Sequence, residues 1–153
     1  MSNSPARIFA LVFTTAVFFP CASLSAAAGN PADVLLPLPA EAREIFNQSC
    51  VMCHGEVIDG KAEIREDLDL STDEKIRETL MDPEKLRQMI ADDEMPQKAK
   101  LSFRLRKQPP MHERLDALKS DYEKNGSKDK LLAWLNAVLP PAPPKDEAAA
   151  KTE

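Results

Sequence analysis

Apolar residues recur at helical spacing in five stretches of this chain, and capping or breaking residues mark the ends of most of them. Ala42, Ile45, Phe46 and Ser49 fall at i, i+3, i+4 and i+7, which predicts a helix whose narrow apolar and small face leads straight into Cys50. Ser71-Thr72-Asp73-Glu74 reads as a capping box opening a short helix that carries Ile76 and Leu80. Asp82-Pro83 then restarts the chain, Asp as N-cap and Pro at the first helical position, with Leu86, Met89 and Ile90 as the buried stripe. Pro109-Pro110 precedes a helix with Met111, Leu115, Leu118 and Tyr122 on one side. Asn125-Gly126 is a turn and Ser127 a cap. The last helix places Leu131, Trp134, Leu135 and Val138 at i, i+3, i+4 and i+7, and Pro140-Pro141 stops it. One stretch departs from this period: over Lys100 to Lys107, Leu101, Phe103 and Leu105 alternate with Ser102, Arg104 and Arg106. That alternation predicts an extended segment lying against an otherwise helical, all-α domain.

The two ends change the picture. Residues 1–28 read as a secretory signal: Arg7 supplies the positive region, Ile8 to Phe19 the apolar region, and Ser25-Ala26-Ala27-Ala28 the small residues at the cleavage positions. The apolar stretch is too short for a membrane span, which needs about 20 residues. Residues 29–39, with three prolines, form an extended lead-in, and residues 140–153 a disordered tail of Pro, Ala and charged residues. One folded unit remains, over residues 40–139. Four of the six Phe belong to the signal, leaving Phe46, Phe103, Tyr122 and Trp134 as a thin aromatic supply for a core. The formal charge of −5 becomes −6 once Arg7 is removed, which makes nucleic acid an unfavourable partner.

Cys50-Val51-Met52-Cys53-His54 is the most specific feature of the chain. A C-x-x-C-H run supplies two thiols that bond the vinyl groups of one haem c and an imidazole that ligates its iron, so His54 is the expected proximal ligand. Cys21 lies in the signal, so Cys50 and Cys53 are the only thiols of the exported chain. A closed zinc site needs four ligands, and His112 is the only other soft candidate outside the run.

The helix leading into C-x-x-C-H-Gly, the Met95-Pro96 pair and an aromatic-bearing last helix resemble the class I cytochrome c domain, with some likeness to planctomycete-type modules. The matching pieces are Glu41 to Gly55, Met95-Pro96 and Leu131 to Leu139. The resemblance implies a small helical domain around one covalently bound haem, with crossing first and last helices in which Phe46 and Trp134 meet. It also implies Met95 as the sixth ligand. Met95 lies in a non-helical run before a proline, which favours an extended conformation there. Met89 and Met111 sit on apolar stripes as fillers, and His112 has Asp116 and Glu113 as neighbours. Two departures stand out. Val57 to Leu70 holds no proline of the kind whose carbonyl orients the proximal histidine in many such domains, so that acceptor is unassigned. Residues 97–127 form a longer stretch before the last helix than a minimal domain has.

These features imply an exported, periplasmic, soluble mono-haem carrier of single electrons between a redox protein donor and acceptor, with no membrane span. No nucleophile–base pair is evident, so an enzyme is not expected. Two alternatives remain: a haem accessory or sensor protein with an open sixth position, and a thiol–disulfide oxidoreductase using Cys50 and Cys53. Charge is segregated, with 12 acidic and 6 basic residues over Lys61 to Glu94 but 5 basic and none acidic over Lys98 to Lys107. The basic run either guides an acidic partner and neutralises propionates or balances the acidic region.

Overall fold

A computed structural model describes residues 29–139, so the signal reading of residues 1–28 and the tail reading of residues 140–153 lie outside the described residues. Five helices form: α1 (Ala40–Ser49), α2 (Asp73–Thr79), α3 (Pro83–Ala91), α4 (Pro109–Lys124) and α5 (Ser127–Val138). Their starts follow local chemistry. The Thr72 hydroxyl accepts from the Lys75 amide at 3.1 Å, and the Asp82 carboxylate accepts from the Lys85 amide at 3.0 Å with Pro83 at the first position. At α5 the N-cap is Gly126, in the left-handed region at φ 61, and Ser127 is the first helical residue rather than the cap. None of these helices is long and apolar enough to cross a membrane.

The fold is not all-α, because a two-stranded antiparallel sheet follows α1 directly, β1 (His54–Ile58) pairing with β2 (Lys61–Ile64). Asp59 and Gly60 join the strands with φ of 52° and 73°, the two left-handed residues that a tight hairpin turn requires. The register pairs Ile58 with Lys61 and Val57 with Ala62, and a bulge separates this from the His54–Ile64 pair. Strands this short carry too little alternation to compete with the helical period around them.

Two further expectations are corrected. Residues 31–34 of the lead-in form a 3-10 turn, not an extended run. The Asn30 side chain accepts from the Ala32 amide at 2.9 Å, Pro31 follows it, and Ala32 and Leu35 are buried in the core. The segment Lys100 to Lys107 is also not extended, ending in a 3-10 turn over Leu105–Lys107. Leu101 and Leu105 are buried but Phe103 is 75 % exposed, so the apolar residues follow an i, i+4 relation and not a period of two.

Packing divides into two apolar clusters. The larger joins Phe46 of α1, Ile76, Leu86, Ile90, Tyr122 and, from α5, Leu131 and Leu135. Phe46 meets Trp134 edge-on, with ring centroids 6.2 Å apart and planes at 79°. The smaller holds Met52, Ile58, Ala99, Leu101, Leu105, Met111 and Leu115, with Met95 and Leu118 against it.

Candidate functional site

α1 delivers the first thiol. Its last turn closes when the Cys50 amide donates to the Phe46 carbonyl at 2.9 Å, and the Cys50 carbonyl in turn accepts from the amides of Cys53 (3.1 Å) and His54 (3.0 Å). The run is therefore a single tight turn with both cysteines as free thiols. His54 opens β1 and is 6 % exposed.

The chain after β2 returns to hold that histidine. Glu66 and Asp67, both left-handed at φ 52° and 56°, reverse the chain so that Arg65 and Leu68 bridge. Leu68 thereby brings its carbonyl to 3.3 Å from His54 Nδ1, and the Leu70 amide donates to the His54 carbonyl at 2.6 Å. The orienting acceptor missing from the sequence reading is thus Leu68, inside the proline-free stretch. With Nδ1–H donated to Leu68, the other ring nitrogen is left free for a metal. Burial pushes the imidazole below its usual range, and the backbone carbonyls of Leu68 and Arg65 offset this only in part.

Gly55 permits this close return. It sits at φ 142°, and a β-carbon there would approach the Asp69 carboxylate and the Ser71 side chain to 2.7 Å each. Only glycine fits both the backbone conformation and the space.

A cavity of about 310 Å³ lies between the two apolar clusters, and its walls include Cys50, Cys53, His54 and Met95. The volume is at the lower end of the range for small-molecule and cofactor sites. Leu70, Leu86 and Leu131 from the larger cluster and Ala99 and Leu115 from the smaller make the remaining lining apolar. Met89 and Met81 also reach this cavity, so Met89 is not the core filler its helical stripe suggests. Met95 lies in a series of turns over residues 92–98 and is half-buried. His112 is exposed, its Nε2 3.2 Å from the Arg106 carbonyl, and does not line the cavity.

Electrostatics at the wall favour neutral forms. Desolvation, reinforced by the neighbouring Cys53, pushes the Cys50 thiol up to about 12, and burial raises Cys53 as well. A dithiol nucleophile needs the opposite shift. The Tyr122 hydroxyl, also on the wall, is buried without a hydrogen-bond partner among the described residues. Neither arginine of the basic run lines the cavity. Arg104 donates to the Ile58 carbonyl (3.1 Å) and to the buried Glu63 carboxylate (2.7 Å), and Arg106 donates to the Leu101 carbonyl (2.8 Å).

No three Cys, His, Asp or Glu side chains converge as a ligand set for a metal ion among the described residues. The thiols and the imidazole, set on one turn, line the cavity together instead. Together with the apolar lining, the free imidazole nitrogen and the thioether of Met95, this donor set fits haem. No family model, curated protein or solved structure matches this chain.

Proposed function

We propose that this chain is an exported mono-haem c-type cytochrome that carries single electrons between two redox proteins in the periplasm. The observation that carries the reading is that one cavity, set between two apolar clusters, is lined by Cys50, Cys53, His54 and Met95 together. Cys50 and Cys53 would hold the ring through thioethers, each formed by adding S–H across a vinyl group. Bound haem supplies a one-electron Fe(III)/Fe(II) couple. His54, oriented by Leu68, would ligate the iron through its other ring nitrogen. Met95 would supply a thioether ligand, which favours the ferrous state and a raised potential. The raised thiols speak against a thiol–disulfide oxidoreductase, whose attacking cysteine must ionise readily.

The test is spectroscopic and uses the exported protein. Haem should remain with the polypeptide on a denaturing gel, and the ferric form should show the weak near-infrared band of sulfur–iron ligation. Met95→Ala should remove that band and lower the potential, whereas Met89→Leu should leave both unchanged. Absence of covalent haem would overturn the proposal. A band lost in Met89→Leu but kept in Met95→Ala would move the sixth ligand to α3.

A further inference from the structure

The loop that bears Met95 is fastened by lysines from outside it. α3 ends at Ala91, and its last carbonyls turn back the chain: Met89 accepts from the amides of both Glu94 (2.9 Å) and Met95 (3.3 Å), with Asp93 left-handed at φ 55° between them. Lys128 of α5 donates to the Ala91 carbonyl at 2.9 Å and to the Asp93 carboxylate at 2.6 Å. Four residues beyond Met95, Lys119 of α4 donates to the Ala99 carbonyl at 2.9 Å. Met95 is thus held midway between two anchors that belong to different helices.

Lys128 is the second residue of α5, where a cation opposes that helix's own dipole. Its position is accounted for by α3 instead, whose exposed C-terminal carbonyls attract a cation. α5 also packs on α1, the helix that ends at Cys50, through Trp134 and Phe46. Lys128 therefore ties the loop of the distal candidate to the frame that carries the attachment thiols.

We infer that Lys128 is a positioning residue that holds the Met95 thioether in place, an inference that rests on the reading of Met95 as the sixth ligand. Releasing the anchor leaves residues 91–95 held only by their own turn, and Met95 then competes less well with an added ligand. A mere helix cap would alter melting without altering that competition.

The experiment titrates ferric holoprotein with imidazole and follows loss of the near-infrared band. Lys128→Met keeps the stem but removes the donor, and should raise the apparent imidazole affinity about tenfold, the equivalent of one charged hydrogen bond. Lys128→Arg should restore affinity to near the parent value. Asp93→Asn keeps a residue tolerant of the left-handed region and should give a smaller rise of about threefold, the weight of a half-exposed ion pair. Parent affinity in haem-loaded Lys128→Met overturns the inference alone. Should that variant not accumulate, parent affinity in Asp93→Asn overturns it equally. A band that survives Met95→Ala removes both the ligand assignment and the role of Lys128.

Discussion

Two hydrogen bonds reach His54 from the returning chain, and both depend on a residue that has no side chain. Leu68 takes the ring N–H and Leu70 binds the backbone carbonyl, which is possible only because Gly55 lets residues 69–71 approach closely. Gly55→Ala must therefore resolve a backbone conformation forbidden to L residues and two contacts at 2.7 Å. Combining the ranges for strain and overpacking, it should destabilise the holoprotein by about 2–6 kcal/mol in denaturant titration. Gly60→Ala meets nothing within 4 Å and should cost only about 1–2 kcal/mol, the left-handed penalty by itself. Equal losses in the two variants would mean that the Gly55 contacts are immaterial. The candidate site was legible at this scale where it is marked by side-chain type. Cys50, Cys53, His54 and Met95 are specified by residue type, and the structure brings all four to one cavity. The Leu68 acceptor was not legible, because any residue has a carbonyl and the one selected depends on a chain reversal at Glu66-Asp67. Met89 was misread for a related reason: a stripe at helical spacing looks the same whether it faces a core or a cavity.

The helices followed from period and caps, whereas the hairpin rests on two residues, Asp59 and Gly60, a turn signal overshadowed by the short, irregular strands around it. One contact that ties the hairpin to the rest of the fold is an ion pair with a buried carboxylate. Glu63 is 6 % exposed and accepts from Arg104, which also binds the Ile58 carbonyl on the opposite strand. Burial disfavours the Glu63 carboxylate, but hydrogen bonds from Ser102 and Arg104 and the charges of Arg104 and Arg65 outweigh it, holding its pKa below the usual range. A depressed carboxylate contributes stability that is complete above its unfolded pKa, about 4.3, and is lost as pH falls through the lower folded value. Stability measured from pH 5 to pH 3 should therefore fall more steeply in the parent than in Glu63→Gln. The variant itself should lose about 1–3 kcal/mol at pH 7, from the weakened charge-assisted bond. Parallel pH profiles would show that Glu63 does not couple to folding. The same contact explains why the basic run looked ambiguous. Arg104 turns to the hairpin and Arg106 donates to the Leu101 carbonyl, but Lys98, Lys100, Arg106 and Lys107 are exposed, so the run makes one fold contact and leaves a basic surface beside it.

The two apolar clusters touch the same cavity from opposite sides, so the molecule is joined across it as well as along its backbone. A composition with few aromatics leaves the core short of large apolar side chains. The clusters give that shortage a form, because neither Leu86 and Leu131 on one side nor Ala99 and Leu115 on the other can fill the gap alone. Applying about 24 cal/mol per Å³ to this volume gives an upper figure of roughly 7 kcal/mol, comparable to the whole stability of an ordinary domain. Water entering at the mouth reduces that figure, but a loss of even ~3 kcal/mol lowers the melting temperature of a chain this size by ~12 °C or more. The haem-free double variant Cys50→Ala, Cys53→Ala should accordingly melt at least ~12 °C below the holoprotein and with weaker cooperativity. Fast amide exchange in residues 95–108 should accompany it, since the apolar residues of that segment belong to the smaller cluster. α1 and α5, joined by Phe46 and Trp134, should keep their protection. A haem-free variant that melts cooperatively within a few degrees of the holoprotein would mean that the two clusters support each other without a ligand, and the cavity would then be incidental to the fold.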